Sequence, residues 1–439
     1  MTDTPNVVFI SIDSLRADAC SFLESNIPTT PNLEALSDES ATFRSVISPT
    51  IWTQPSHASI FTGLYPHEHQ LRGGDEVLGD HPTLAELLRS KGWTTTAYGY
   101  NGWTRTKGVS RGFKYHRTPH PRESYPGIRK RLFQAKRLGD RLTYDRKTRD
   151  ETTIQRVVDQ IKSADGPFFT FAHLMGTHHA YLPRSPYYEE FTDRSRIELF
   201  WNQIEQRRLF GKRPEVYAGD FWPNQRTIET MKEQYHGCIR QADNLVGDVV
   251  TALRESGELD NTILVVFGDH GECFGEDGVF GHQFSLDDAL LRVPLLIRDP
   301  TGTISTGEHD DLVQLNDLYP TILNLCGLEV PDTHSISIGS GDRETAFVNY
   351  VAPEDVVEKN ERLHPSKRPL PRQYAAWRSP DEKLHWYPEK RDYEGPAKEN
   401  TELREVFKSH LDSLTPLPPK GTEQVSAEVK QNLQEMGYL

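Results

Sequence analysis

Short apolar runs rich in β-branched residues recur along the first 300 positions of the chain. The run at residues 7–12 is apolar at nearly every position, which is typical of a strand buried on both faces of a parallel sheet. It ends at Asp13, so we expect that carboxylate at the carboxyl edge of the sheet, where open α/β sheets place their ligands. Similar runs predict further strands at 94–98, 168–173, 262–267 and 293–297.

Helical patterns separate these strands. Thr30 and Pro31 have the residue types of a helix N-cap and first helical position. Further helices are predicted after Pro82-Thr83, over 239–253 and over 315–325. Strands that alternate with helices over about 330 residues predict one doubly wound α/β domain with a mainly parallel sheet.

Two segments interrupt the alternation, at about 110–150 and 183–232. The first is rich in Arg, Lys and Pro; the second is charged and aromatic. Both are predicted to be insertions over one end of the sheet. The aromatic residues of the second predict a packed satellite core, with a lid over a glycan, an aryl group or a lipid as the alternative.

Residues 331–439 follow the catalytic domain predicted for 1–330. They carry strand candidates at 345–351, 374–377 and 384–387 and a helical pattern at 426–436. This composition predicts a small C-terminal α+β subdomain.

The 439 residues are 36% hydrophobic and 26% charged, as in soluble globular proteins. The sequence contains neither an apolar run long enough to span a bilayer nor a basic and apolar leader, so we expect a cytoplasmic protein. The four scattered cysteines fit reduced thiols. The net charge of −14 argues against nonspecific binding to nucleic acid or anionic lipid, and an anionic substrate would need a local cationic pocket.

The most informative segment is 48–69, which reads SPTIWTQPSHASIFTGLYPHEH. Pro55 suits the first helical position, which would place Thr53 or Gln54 at a helix N-terminus. Free N–H groups and the helix dipole favour an anion there. A lone Thr-x-Pro-Ser most often marks an ordinary N-cap, so the other motifs must decide its meaning.

Two strand ends supply carboxylates. The first strand leads into Asp13-Ser14-Leu15-Arg16, and the strand at 262–267 leads into Asp269-His270-Gly271-Glu272. An adjacent Asp and His at a rigid strand tip suit a metal site. Two strand ends and one helix start would then converge at the same sheet edge.

Histidines supply the remaining candidate chemistry. His178 and His179 follow the strand at 168–173, and His282 follows Phe280-Gly281. Imidazole titrates near neutral pH, so these side chains could bind an oxyanion or protonate a leaving group. A histidine in a surface loop is the alternative for His282.

Taken in order, these segments resemble the sulfatase family of the alkaline phosphatase superfamily, and in particular its Thr-nucleophile variants similar to phosphonate monoester hydrolases. The resemblance implies that Thr53 is the nucleophile and that one divalent cation is bound by Asp13, Thr53, Asp269 and His270. It implies that His178 contacts the substrate oxyanion and that His282 acts on the leaving group. His57, His179 and Arg16 are the expected substrate-binding residues, with the choice between His178 and His179 left open.

The departures from the family pattern change the expected chemistry. Thr53 replaces the Cys or Ser that most members oxidise to formylglycine, and His57 replaces the Arg that supports it, so we do not expect formylglycine here. Ser14 replaces a second aspartate and His270 an asparagine. Fewer carboxylates and an added imidazole favour Mn²⁺ or Zn²⁺, with Mg²⁺ or Ca²⁺ possible.

The sequence therefore predicts a metal-dependent hydrolase that cleaves sulfate or phosphate esters through a covalent Thr53 intermediate. We expect a small-molecule, glycan or lipid anionic ester as substrate, and neither a nucleic acid partner nor an integral membrane segment. The alternatives are a phosphotransferase of the lipoteichoic-acid-synthase-like type, a two-metal phosphatase with a further Asp-and-His set, and a non-catalytic family member that binds an anion.

Overall fold

The computed structural model describes residues 4–72, 76–117, 148–352, 354–363 and 372–421. Its centre is an eight-stranded sheet. The strands of this sheet are β1 Asn6–Ile12, β2 Ala41–Ile47, β3 Thr94–Gly99, β4 Lys114–Arg117, β5 Phe168–Leu174, β6 Thr262–Gly268, β9 Leu295–Arg298 and β10 Gly307–Gln314. Their spatial order is β10-β2-β9-β6-β1-β5-β3-β4. The short strands β7 Cys273–Phe274 and β8 Phe280–Gly281 pair separately.

Five of the seven pairings in this sheet are parallel. Strand β9 is antiparallel to both of its neighbours, β2 and β6. The central strand β1 is buried at every position and pairs in parallel with β5 and β6. The prediction of a doubly wound, mainly parallel α/β fold is confirmed.

Helices cover both faces of the sheet. The largest, of 32 residues, includes the predicted helix at 239–253 and begins well before it. The helices are α1 Pro31–Ser37, α2 Thr53–Thr62, α3 Pro66–His69, α4 Leu84–Ser90, α5 Gly102–Arg105, α6 Arg149–Ser163, α7 Arg196–Gly211, α8 Arg213–Ala218, α9 Gln225–Ser256, α10 Asp288–Leu291, α11 Leu318–Leu325, α12 Glu354–Leu363 and α13 Thr401–Ser413. Alternate residues of β1 enter separate cores on the two faces: Val8, Ile10 and Ile12 in one, and Val7 and Phe9 in the other.

The C-terminal part contains a four-stranded antiparallel sheet and helix α13. Its strands, in spatial order, are β11 Ala346–Val351, β12 Arg372–Trp377, β13 Lys383–Tyr387 and β14 Asp392–Glu394. Val348, Tyr350 and Trp377 share one hydrophobic cluster with Ile51 and Trp52, which directly precede α2. The predicted α+β character is confirmed, while the division at residue 330 stays a prediction.

The insertion at 183–232 comprises α7, α8 and the start of α9. Tyr188 and Leu199 form the small satellite cluster that the sequence predicts. Trp201 and Trp222, however, are 60% and 50% exposed. The prediction of a packed satellite core is therefore wrong for these two residues.

Several other predictions can be compared with the described residues. No helix there is long and apolar enough to cross a membrane. All four cysteines are free thiols, and Cys20, Cys238 and Cys273 are buried. The predicted helix at 426–436 and most of the basic segment at 110–150 lie outside the described residues.

Candidate active site

Strand register brings the two predicted carboxylates together. Ile12 lies beside Leu174 on one side and Gly268 on the other, so Asp13 and Asp269 both follow at the carboxyl edge. The backbone N–H of Ser14 donates to Asp269 Oδ1 at 3.2 Å. Both carboxylates are completely buried.

Thr53 approaches the same point from helix α2. Its Oγ1 donates to Asp13 Oδ2 at 3.2 Å and lies 3.3 Å from His270 Nε2. The helix begins at Thr53 itself, and Pro55 is its third residue, not its first. The first helical turn accepts proline because its N–H groups have no intrahelical partners.

Candidate ligand atoms of Asp13, Asp269 and His270 all lie within 4.8 Å of one another, and Thr53 Oγ1 lies beside them. His270 Nε2 is 3.6 Å from Asp13 Oδ1 and 3.8 Å from Asp269 Oδ1. These separations are of the size expected between ligands of one small divalent cation at metal–ligand distances of about 2.0–2.3 Å. His270 Nδ1 donates to the carbonyl of Gly271, which leaves Nε2 as a ligand.

Burial of the two carboxylates also favours a positive charge between them. Burial and the neighbouring Asp13 raise the pKa of Asp269 well above its usual value. Burial opposes ionisation of Asp13 too, but the imidazoles of His178, His173 and His270 hold its pKa well below the usual range. Asp269 Oδ2 is buried with no hydrogen-bond partner. A carboxylate oxygen in that position is costly unless a cation or a proton neutralises it.

A chain of polar side chains lies beneath Thr53. His57 Nδ1 donates to the Thr53 carbonyl at 2.9 Å, and His57 Nε2 is 3.0 Å from Ser11 Oγ. Ser11 Oγ is 3.3 Å from His173 Nδ1, and His173 Nε2 is 3.1 Å from Asp13 Oδ2. Both His57 nitrogens therefore have protein partners, and these contacts give no support to the predicted substrate-binding role of His57.

Three buried histidines form a second cluster beside the first. Candidate ligand nitrogens of His178, His179 and His282 all lie within 4.8 Å of one another, and the His282 and His270 rings are 4.6 Å apart. His282 Nδ1 is 3.1 Å from Glu272 Oε1. Burial raises the pKa of Glu272 to about 7 and lowers the pKa of His178 to about 4.

The three rings of this cluster pack closely against one another and against Phe210. His178 and His179 are stacked, with centroids 4.1 Å apart and planes 30° apart, and His179 also stacks on Phe210. The three side chains could hold a second cation or contact the separate oxygens of an anionic group.

Arg16 points away from both clusters. Its guanidinium bonds to Asp18, to Glu276 at 2.7 Å and to the carbonyl of Glu272 at 3.0 Å. These contacts stabilise the loop that contains Glu272. The structure does not bring the Arg16 side chain to the other predicted site residues, and its substrate-binding role stays a prediction.

The family model of sulfatases matches residues 5–328, which is about three quarters of the chain. The chain belongs to the sulfatase family. An arylsulfatase of Clostridium perfringens is 23% identical over 373 residues, covering 75% of this chain and 76% of the relative. The multifunctional alkaline phosphatase superfamily protein PehA of Trinickia caryophylli is 26% identical over 383 residues, with 74% of each chain covered.

The fold agrees with solved structures of this family. A phosphonate monoester hydrolase of Agrobacterium radiobacter superposes with a TM-score of 0.70 at 19% identity, covering 93% of this chain and 94% of that chain. The relatives carry the names of ester hydrolases. The prediction of an enzyme that acts on ester bonds is therefore confirmed, as is the recognition of the family.

The sequence did not identify four buried residues of this candidate site: Ser11, His173, Asp150 and Glu272. Ser11 and His173 face each other across β1 and β5, a pairing that only the register reveals. Asp150, at the start of α6, accepts from the backbone N–H of Met175 and so holds the loop that leads to His178. Glu272 stood inside a quoted motif, but no partner in the sequence marked it as the residue that orients His282.

Proposed function

We propose that the protein is a metal-dependent hydrolase that cleaves sulfate or phosphate esters through a covalent ester of Thr53. The observation that carries this proposal is the position of Thr53 Oγ1. It lies at the first residue of α2, 3.2 Å from Asp13 Oδ2 and 3.3 Å from His270 Nε2. A hydroxyl so placed faces the substrate with free helix N–H groups behind it.

Asp13, Thr53, Asp269 and His270 would hold the cation. When bound, a divalent cation lowers the pKa of the Thr53 hydroxyl and offsets negative charge on the substrate. Asp269 Oδ2 is buried without a hydrogen-bond partner, as expected of a carboxylate oxygen that a cation neutralises. The imidazole of His270 beside two carboxylates favours Mn²⁺ or Zn²⁺ over Ca²⁺.

The covalent step needs only groups that line the site. Thr53 Oγ1 passes its proton to Asp13 Oδ2, the oxygen that accepts its hydrogen bond at 3.2 Å, and forms a bond to phosphorus or sulfur as the bond to the leaving oxygen breaks. Water then gives a proton to His282, which lost one to the leaving oxygen, and attacks the Thr53 ester. The product is sulfate, phosphate or, from a diester, a phosphomonoester, and the Thr53 oxygen takes back its proton from Asp13. The methyl group on Cβ of Thr53 is the reason why we exclude formylglycine from this scheme.

The histidine cluster would act on the other side of the reacting centre. His282, with Nδ1 held by Glu272, presents Nε2 as the donor that protonates the leaving oxygen. His178, whose Nδ1 donates to the carbonyl of His179 at 2.8 Å, presents Nε2 to the non-bridging oxygens. His179 would contribute the stacked face that keeps His178 in place.

The test is a comparison of wild type with Thr53→Ala and Thr53→Ser on aryl sulfate, phosphate monoester and phosphodiester substrates, each with Mn²⁺, Zn²⁺, Mg²⁺ and Ca²⁺. We expect Thr53→Ala to lose at least about a thousandfold in kcat on the preferred ester, because no other hydroxyl occupies that position. Thr53→Ser should retain part of the activity. Mass spectrometry of quenched wild type should show a modified Thr53.

Two results would contradict the proposal. In one, wild type and Thr53→Ala turn over all three esters equally slowly. In the other, a chelator leaves the rate unchanged. Circular dichroism of Thr53→Ala serves as the control for folding, since the methyl and hydroxyl that it removes are buried.

A further inference from the structure

Gln54, the residue that follows Thr53, has a side-chain amide that is buried without a partner. The residue is 0% exposed, and neither Oε1 nor Nε2 has a hydrogen-bond partner among the described residues. Gln314 is equally buried, but its amide is satisfied. Its Nε2 donates to the carbonyl of Phe347 at 2.6 Å, and its Oε1 accepts from the Tyr65 hydroxyl at 3.1 Å.

A buried amide in this state destabilises the folded chain. Water binds both of its polar atoms in the unfolded state, and burial removes that water without a replacement. Buried polar side chains therefore nearly always have a partner. For Gln54 the missing partner is either a bound water molecule or a ligand, and both its position and the burial around it favour a ligand.

Gln54 lies at the reacting end of α2. It is the second residue of this helix and shares a face with His57, three residues further on. The ring of His57 packs edge-on against His173, with centroids 4.9 Å apart, and His173 Nε2 is 3.1 Å from Asp13 Oδ2. Helical side chains lean toward the helix N-terminus, so the amide of Gln54 extends from this face toward the edge of the sheet where Thr53 lies.

The complete burial of Gln54 does not separate it from a substrate. The side chains that we propose to react or to bind the cation are 0% exposed too: Thr53, Asp13, Asp269 and His270. Any ester that is cleaved here has to reach them. A substrate bound at Thr53 therefore enters the surroundings of the adjacent residue as well.

The amide group also determines which part of a substrate it can bind. Its Nε2 donates hydrogen bonds, and its Oε1 accepts them. The non-bridging oxygens of a sulfate or phosphate only accept, so the anionic head could satisfy Nε2 but not Oε1. A hydroxyl group on the alcohol part of the ester supplies the donor that Oε1 requires.

We propose that Gln54 is a substrate-binding residue that selects esters of alcohols carrying a hydroxyl beside the ester oxygen. Its Oε1 accepts from that hydroxyl, and its Nε2 donates to an oxygen of the same substrate. The inference rests on the proposed ester hydrolysis at Thr53 and adds a determinant of specificity to it. An ester without the hydroxyl leaves Oε1 buried and unpaired, which is how polar pockets reject analogues that lack a hydrogen-bonding group.

The probes are cyclohexyl sulfate, cyclohexyl phosphate and the trans-2-hydroxy derivative of each, so that the members of a pair differ in one hydroxyl. The test variant is Gln54→Met, which removes the amide and keeps the shape of the side chain. The matched control is Gln314→Met, which removes a buried amide that has partners. Release of the inorganic anion measures hydrolysis, titration calorimetry measures binding, and circular dichroism measures the unfolding temperature without ligand.

Wild type should prefer the hydroxylated ester by about 10–100-fold in kcat/KM, and Gln54→Met should reduce this preference to less than about threefold. The change should come from a loss on the hydroxylated ester. Free Gln54→Met should unfold about 1–3 °C above wild type, because it no longer buries an unpaired amide. Gln314→Met should unfold below wild type and keep the wild-type preference.

Three results would overturn the inference: equal kcat/KM of the two esters in wild type, an equal loss on both esters in Gln54→Met, or a lower unfolding temperature of Gln54→Met. The last would show that the amide has a structural partner such as a bound water molecule. A wild type that hydrolyses neither ester contradicts the proposed function instead. The calorimetric affinities of wild type and Gln54→Met for the two esters then decide whether Gln54 recognises the hydroxyl.

Discussion

The hydroxyl of Ser11 links two histidines, His57 and His173, beside Thr53. It lies 3.0 Å from His57 Nε2 and 3.3 Å from His173 Nδ1, while the far nitrogens of these rings face the Thr53 carbonyl and Asp13. Four contacts thus connect the carbonyl of Thr53 with the carboxylate of Asp13, through the two imidazole rings and the hydroxyl between them. The position of Thr53 and of Asp13 therefore depends on a residue that touches neither.

Ser11→Ala should weaken the site more than it weakens the fold. Removing the shared hydroxyl leaves a buried ring nitrogen without a partner, which costs about 1–3 kcal/mol. We expect a lower kcat and a weaker affinity for the cation, measured by steady-state kinetics and metal titration. The matched control is Thr96→Val, because Thr96 Oγ1 pairs with Thr170 Oγ1 at 3.1 Å in the same sheet, away from the site. Equal effects of both variants on kcat would refute the prediction.

His282 allows a second prediction at this scale, based on the leaving group. If His282 protonates the leaving oxygen, His282→Ala should lower kcat/KM by about 10²–10⁴ for an alkyl ester. The loss should be much smaller for a nitrophenyl ester, whose leaving oxygen needs no proton. Glu272→Gln should show the same pattern with a smaller loss, because Glu272 only orients the ring through the 3.1 Å contact. A loss that is uniform across leaving groups would instead indicate a binding role.

Among the structural elements, the short helix α10 fixes the turn that carries His270. The N–H of Gly271 donates to the Leu290 carbonyl at 2.8 Å. A Cβ atom on Gly271 would lie 1.8 Å from the carbonyl oxygen of Ala289. The backbone of α10 thus occupies the space that any side chain at position 271 would need.

Gly271→Ala should therefore move the turn and displace His270. We expect at least about 2–3 kcal/mol of lost stability and a marked loss of cation affinity, measured by thermal unfolding with and without metal. The control is Gly211→Ala at the end of α7, where a Cβ atom meets nothing within 4 Å. Gly271→Ala with unchanged cation affinity would show that His270 is not held by this contact.

The sequence predicted those strands of the central sheet whose pattern lies within one short segment. Runs of apolar or β-branched residues identified β1, β3, β5, β6 and β9, and the Asp residues after β1 and β6 lie together as the parallel pattern requires. Strand β10 was missed because its sequence, GEHDDLVQ, is polar and largely exposed at the edge of the sheet. The antiparallel direction of β9 could not be predicted, since an apolar run carries no information on strand direction.

The residues of the site, too, could be predicted only where their signal lies within one short segment of the sequence. Thr53, Asp13, Asp269 and His270 could be found because each lies in a short motif. The contact between Ser11 and His173 depends on register between strands separated by some 160 residues. The direction of Arg16, away from the cluster, depends on Glu276, which no motif connects to it.

For the whole molecule, the C-terminal sheet is coupled to the site through α10. Trp377 is 1% exposed, and its Nε1 donates to Asp288 Oδ1 at 3.1 Å. Lys383 Nζ reaches the same oxygen at 2.9 Å. Asp288 begins the helix that packs against Gly271, so the β-sheet at 346–394 supports the turn of His270.

Trp377→Ala should consequently destabilise the whole chain, by about 3–5 kcal/mol, in one cooperative transition. Trp377→Phe, which removes the hydrogen bond and part of the ring but keeps an aromatic side chain, should cost less, about 1–3 kcal/mol. Calorimetry together with metal affinity tests this expectation. Two separate transitions, with the cation still bound after the first, would show that the C-terminal sheet unfolds on its own.

The position of β1 in the middle of the sheet has a consequence for how the protein is made. Its two neighbours are residues 168–174 and 262–268, so this fully buried strand emerges from the ribosome long before its partners exist. At about 5–20 residues per second, the 255 positions between Ser14 and Asp269 take roughly 10–50 s to translate. During that time the nascent chain carries an unpaired apolar segment and half of a cation site. The candidate site cannot be completed until about two thirds of the 439 residues have been made, and the yield of the protein in a cell should depend on chaperones that shield β1 during this interval.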